Sequence, residues 1–218
     1  MPRETFEKQL AELRTDLLEL GRMVEVAVGR SVEALARRDT ELAREIIASD
    51  IEINRKRFAI EEKTLLLIAT QQPMASDLRI LAATLSIITD LERMGDYAKG
   101  IAEINLRMGT EPLLKPLIDV PRMTQKGQEM LRRSLEAFLR RDVEEAKRVS
   151  SEDDEIDHLY NQVYRELLMF MIEDPRTITR ATYLLWVAHN LERFADHVTN
   201  ICERAIFAAT GKMEELNL

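Results

Sequence analysis

The sequence predicts an all-α protein built as two tandem, sequence-related three-helix bundles, six helices in a pseudo-twofold repeat. Three observations lead there. Apolar residues recur three and four apart almost from end to end, as buried helical faces require. Gly and Pro are scarce, at 7 and 6 of 218 residues, so helices can run long. The chain also contains itself twice. SVEALARRD at 31–39 returns as SLEAFLRRD at 134–142, 103 residues on, and DLERMGDYAKGIAE at 90–103 returns as NLERFADHVTNICE at 190–203, 100 residues on. The difference of three marks one small deletion near the connector after Ala69. A period near 100 residues is too long for a solenoid and fits two fused copies of one domain.

The elements follow in order. Helix 1 covers roughly 3–37, with Leu10, Leu13, Leu17, Leu20 and Val24 along one face. Arg37-Arg38-Asp39 breaks that pattern, and Asp39 or Thr40 caps helix 2. Helix 2 runs to about Thr70, where Gln72-Pro73 stops it, and Pro73 suits the first turn of helix 3. Helix 3 extends to about Met108, with Gly109 placed as its C-terminal cap. Pro112, Pro116 and Pro121 make 110–121 the linker between a first bundle, 1–109, and a second, 122–218. There, helix 4 spans about 122–140, helix 5 Asp142 to Glu173, and helix 6 Asp174-Pro175 to about Thr210, closed by Gly211. No segment alternates apolar and polar residues long enough to make a strand.

Composition narrows the function. With 45% hydrophobic and 32% charged residues the chain can build a core and is not a disordered segment. A net charge of −8 argues against nucleic-acid binding through a global basic field. The single cysteine, Cys202, excludes a disulfide framework and fits a reducing cytoplasm. Its counterpart is Ala102, so it reads as a small buried hydrophobe. Residues 1–22 are too charged for a signal peptide, and the longest apolar run, Leu65 to Ala69, is far shorter than a membrane span. The expectation is a cytoplasmic protein that meets membranes only indirectly. Trp186 and the methionines read as core.

The duplication repeats one chemical feature most pointedly: Glu92/Asp96 and Glu192/Asp196. Acidic pairs four apart usually sit on a solvated helix face. Here Leu78, Leu81, Leu85 and Ile88 form a seam whose next position is Glu92, and Ile80, Ile87, Leu91, Met94, Ala98 and Ile101 make a second stripe. Ile178, Ala181, Leu185 and Ala188 lead to Glu192 in the same way. A carboxylate forced against a core needs a partner, and two carboxylates one turn apart repel. Two outcomes stay open: an ion pair with a neighbouring helix, or a metal held by hard oxygen ligands. Asp50 and Asn54, matched by Asp153 and Asp157, could complete such a site, and the small Gly95 and Ala195 would admit a second helix or a metal. His189 and His197 flank only the second motif. Glu155-Ile-Asp-His158 has the spacing of di-iron bundles, but its counterpart carries Arg55 in place of the second histidine.

Gln72-Pro-Met-Ala-Ser-Asp-Leu-Arg79, Asp90-Leu-Glu-Arg-Met-Gly-Asp-Tyr-Ala98, Glu173-Asp-Pro175 and Leu191-Glu-Arg-Phe-Ala-Asp-His197 resemble the PhoU family of phosphate-transport regulators, along essentially the whole chain. The resemblance implies a negative regulator of phosphate uptake and of the phosphate-starvation response. It further implies an adaptor that contacts the ATPase subunit of the phosphate ABC importer and the PAS domain of a sensor histidine kinase, as a homodimer. The family's acidic motif maps onto Glu92/Asp96 and Glu192/Asp196, implying divalent or trivalent metal ions, iron foremost, with zinc or manganese as alternatives. It implies surface placement of these sites. Asn190 in place of Asp90, and Asn54 in place of Asp157, imply that the two sites differ. No catalytic residue is assigned, since no phosphate loop, nucleophile order or GxSxG occurs. The competing reading is a metal-dependent phosphoester hydrolase, in which carboxylate-bridged metals activate water.

Overall fold

The computed structural model describes residues 2–109 and 111–216. Thr110, at the start of the expected linker, and Met1, Asn217 and Leu218, at the outer ends of the expected domains, lie outside the described residues. The first repeat is α1 (Pro2–Arg37), α2 (Thr40–Gln71) and α3 (Ala75–Met108). The second is α4 (Asp119–Arg140), α5 (Val143–Ser151), α6 (Asp153–Glu173), a 3-10 turn (Pro175–Thr177) and α7 (Ile178–Thr210). Six helical rods are present, the fifth broken into α5 and α6 at Glu152, and the described residues contain no strand.

The best-preserved block of the duplication turns out to be a corner. Arg38 and Arg141 both take the left-handed conformation, with φ of 57° and 56°. The amides of Asp39 and Asp142 then reach back to the carbonyls of Ala34 and Ala137, at 2.8 and 2.9 Å. Each aspartate caps the next helix, Asp39 accepting from the Leu42 amide at 2.9 Å and Asp142 from the Glu145 amide at 3.0 Å. A left-handed non-glycine residue is tolerated because the surrounding bonds over-determine it. At the first corner Arg38 adds to this, its guanidinium donating to Asn105 Oδ1 at 2.7 Å and to the Gly109 carbonyl at 2.5 Å.

Two helix starts differ from the sequence expectation. Pro73 lies outside α3, whose N-cap position is Met74. Gln72 turns left-handed, and the chain needs Pro73 and Met74 to reverse direction before a helix can begin. In contrast, α4 begins at Asp119, so Pro121 falls in its first turn, where a missing N–H costs no bond. The break at Glu152 was not anticipated. Its carboxylate is drawn to Arg133 Nη1 at 2.7 Å and Lys126 Nζ at 2.9 Å, both on α4, while its amide tightens to the Val149 carbonyl at 3.1 Å.

One apolar core runs through both repeats. Leu10, Leu13, Leu17, Leu20 and Val24 are buried, together with the Ile80–Ile101 stripe of α3 and Ala181, Leu184, Ala188, Leu191 and Phe194 of α7. The core is shared because α3 and α7 pack against each other antiparallel as well as against their own bundles. Asp90 lies opposite Asn200 and Gly100 opposite Asn190. α1 and α4 also meet across the repeat boundary, where Gly21 leaves room for Leu135 Cδ1 only 2.3 Å from an added Cβ. Cys202 is buried as expected, and burial pushes its thiol up to about 12. Trp186 is a correction: it is 46% exposed, its ring edge-to-face with Tyr183 at 5.8 Å between ring centres. Met74, Met169 and Met213 are exposed as well, because they fall at rod ends and outer faces rather than on the buried stripes. No helix of the described residues is long and apolar enough to cross a membrane.

Candidate functional site

The seams carrying Glu92 and Glu192 run along the margin of the core. Leu78 and Ile178 at their starts are exposed, while Leu81, Ile88, Ala181 and Ala188 are buried. The side chains of Glu92 and Glu192 are accordingly half-buried, at 26% and 20% exposure. They line a helix margin rather than the deep interior, because the fully buried stripe of α3 is the parallel one through Ile87, Leu91 and Met94.

In the first repeat, α2 brings Asp50 against this face. Asp50 is only 6% exposed, and its Oδ2 accepts from Lys99 Nζ at 3.1 Å and from Asn54 Nδ2 at 3.3 Å. Gly95 makes the approach possible, since a Cβ there would stand 3.2 Å from Ile53 and 3.8 Å from Asp50 Oδ1. Burial, then the charge of Asp50, holds the Asp96 carboxyl above its usual range, with Lys99 and Arg93 working against that rise. Lys99 is raised in turn by its bond to Asp50. Arg93 lies 3.9 Å from Glu92 and 4.0 Å from Asp96.

In the second repeat α6 supplies Asp153, which is buried, and Asp157. Burial pushes Glu192 up to about 7, and the negative charges of Asp196 and Asp157 push in the same direction against Arg193. Glu192 Oε2 is buried without a hydrogen bond; His189 Nδ1 lies 3.3 Å away but outside hydrogen-bonding geometry. Burial also raises Asp196, opposed by Arg193, whose Nη1 donates to Asp196 Oδ2 at 2.5 Å. An arginine next in sequence to Glu192 thus serves the aspartate three residues on, as helix geometry allows.

Between the two motifs lies a polar seam that sequence reasoning did not assemble. Asp90 Oδ1 takes His197 Nδ1 at 2.8 Å and Asn200 Nδ2 at 3.1 Å. Tyr97 stacks obliquely on His197, 5.6 Å between ring centres, with its hydroxyl 3.4 Å from His197 Nε2. His197 therefore faces the other repeat, and an open depression of about 500 Å³ lies beside it, lined by Ser86, Thr89, Asp90, Asn200 and Arg204. His158 and Glu155 do not form a metal pair: Glu155 bonds Lys126 at 2.8 Å and His158 Nδ1 lies against the Asp154 carbonyl at 2.5 Å. Lys99 is the other residue missed. Comparing the copies position by position would have found it, since Lys99 is matched by Thr199.

This geometry can be set beside known proteins. The PhoU domain matches residues 17–104 and again 120–205, one match per repeat. The chain belongs to the PhoU family. It is 39% identical over 218 residues, all of both chains, to the phosphate-specific transport system accessory protein PhoU homolog of Clostridium acetobutylicum. It is also 39% identical over 206 residues to the homolog of Aquifex aeolicus, covering 94% of this chain and 93% of that one. The crystal structure of the phosphate transport system regulatory protein PhoU from Streptococcus pneumoniae superposes with a TM-score of 0.89 at 34% identity, covering 96% of this chain and 99% of that one. PhoU from Pseudomonas aeruginosa gives the same score and identity over 95% and 100%.

The two repeats of this PhoU family member differ in how their acidic faces are held. Among the described residues no three carboxylate, imidazole or thiol groups converge on a point that could hold an ion. The second repeat does not fit: Asp157, Glu192 and Asp196 influence one another electrostatically, but Arg193 already holds Asp196, and only one glutamate oxygen is buried without a hydrogen bond. The first repeat does not fit, because an ammonium and an amide already hold Asp50.

Proposed function

We propose that this protein is a negative regulator of phosphate uptake and of phosphate-starvation signalling. It acts in the cytoplasm as an adaptor between the ATPase subunit of the phosphate importer and the PAS domain of a sensor histidine kinase. The observation that carries this reading is the full-length match to proteins named as phosphate-specific transport system accessory proteins, with the PhoU domain in both repeats. Long helices with exposed apolar side chains support it. Ile51, Phe58, Leu65 and Leu66 on α2 and Met169 and Ile172 on α6 are half or more exposed, and such surfaces suit docking to other proteins.

In this reading Asp157, Glu192 and Asp196 of the second repeat would hold the metal. Iron, zinc or manganese there would supply positive charge to a face that otherwise carries repelling carboxylates. The chain's own contribution is to hold Glu192 half-buried and to orient Asp196 through Arg193. Two measurements test the proposal. Co-purification of the full chain with the importer ATPase subunit and the kinase PAS domain at high phosphate should recover both, and recovery of neither would sink the adaptor. Elemental mass spectrometry of tag-free protein should find stoichiometric metal that Glu192→Gln removes. Phosphoester turnover lost in Glu92→Gln/Glu192→Gln would favour the hydrolase instead.

A further inference from the structure

The repeats also diverge in the groove between their first two rods. We propose that the groove between α1 and α2 docks an acidic amphipathic helix of a partner protein, its apolar side chains on the groove floor and a carboxylate over Arg30. The inference rests on the adaptor reading above and deepens it by giving a partner its seat.

The groove encloses about 190 Å³. Its floor is apolar: α1 supplies Met23, Val26 and Ala27, α2 supplies Ile46 and Ile53, and Val26 is 44% exposed. Arg22 and Arg30 stand along its α1 side, about two turns apart. The second repeat shows what such a groove takes when the chain fills it by itself. There Lys126, at the position of Met23, bonds Glu152 at 2.9 Å and Glu155 at 2.8 Å. Arg133, at the position of Arg30, holds Glu145 and Glu152, each at 2.7 Å. In the first repeat those two carboxylates are gone, since Leu42 stands for Glu145 and Ser49 for Glu152. Arg30 keeps Glu45, at 2.9 Å, whose side chain is 66% exposed. The acidic residue of the lining, Glu52, is itself held by Arg55 at 2.6 Å.

An arginine that binds two carboxylates in one repeat therefore has room for a second in the other, beside an uncovered apolar floor. A carboxylate arriving from outside would take the place that Glu152 holds on Arg133, as a charge-assisted bond. Apolar side chains beside it would cover Met23 and Val26 and anchor the complex. The occupant is helical because the groove lies between two helices, offers no strand edge to extend, and presents ridges three and four residues apart.

The test titrates the full chain with the purified importer ATPase subunit and, separately, with the kinase PAS domain, by calorimetry. Met23→Lys/Val26→Glu/Ser49→Glu writes the second repeat's charges into the first. It should weaken binding of one partner at least about tenfold while the melting temperature holds. Val26→Glu alone, at an exposed position, repeats the test should the triple variant lose stability. Arg30→Gln should weaken the same complex and flatten its salt dependence, because a charge pair is lost. Wild-type affinity of the groove variants for both partners would overturn the proposal and leave the adaptor reading standing. A wild-type dimer that the triple variant converts to monomer in sedimentation would make the groove a contact between copies of this chain, and overturn it too. If wild type binds neither partner, the adaptor reading falls and the docking proposal with it.

Discussion

The two repeats share a skeleton and part company in how they neutralise charge. At the corners their backbones match: Arg38 and Arg141 adopt the same left-handed turn, and Asp39 and Asp142 cap the same way. On the carboxylate face they diverge. The first repeat answers Asp50 with Lys99 and Asn54, while the second sets Asp157 beside Glu192 and Asp196 and leaves a glutamate oxygen without a hydrogen bond. The lesson concerns where a duplicated fold is free to change. A corner is a backbone requirement, with orphan amides that only a few side chains satisfy. A half-buried acidic face can be neutralised in more than one way, by Lys99 on Asp50 in the first repeat or by Arg193 on Asp196 in the second, so the copies can drift apart there.

The largest expected effects probe packing. Phe194 is buried against Gly127, whose added Cβ would stand 3.3 Å from the ring, and its counterpart Met94 is equally buried. Phe194→Ala should cost about 3–5 kcal/mol and Met94→Ala roughly 2–5 kcal/mol in urea unfolding. A single shared core predicts that each variant unfolds in one transition, and two separated transitions would show independent bundles instead. Next come the corners: Asp39→Ala and Asp142→Ala should each cost about 1 kcal/mol. A difference well beyond a few tenths would break the claim that the corners are equivalent.

The smallest effect is electrostatic. Glu192 titrates at about 7 in the folded protein against 4.5 as a free side chain, so the folded state keeps its proton to higher pH. Burying it therefore costs nothing below about pH 4.5. Stability falls as pH rises from there towards 7, and the full cost persists above. Glu192→Gln should remove that fall and stabilise the metal-free protein above pH 7 by about 0.5–1 kcal/mol, allowing for solvent screening. A denaturant midpoint that stays equally pH-dependent in wild type and variant would show that Glu192 is not the group responsible.

Sequence by itself determined the helical class, the two repeats and the acidic residues on their margins. Periodicity places Leu10 to Val24 on a buried face, and turn chemistry places Asp39, Gly109 and Gly211 at helix ends, because these depend on neighbours a few residues away. The break at Glu152 was not legible, since the partners that hold its carboxylate, Arg133 and Lys126, lie on another helix. Nor was Trp186, which lies on a face left uncovered by the packing of its neighbours. Only the tertiary structure decided that Lys99 answers Asp50 across 49 residues of chain and that His197 answers Asp90 across 107. It also decided that one core serves both repeats. A helical repeat is written in local spacing, whereas the partner of a buried charge is set by which helices pass within a few ångströms of it, and that is settled only when the bundle closes.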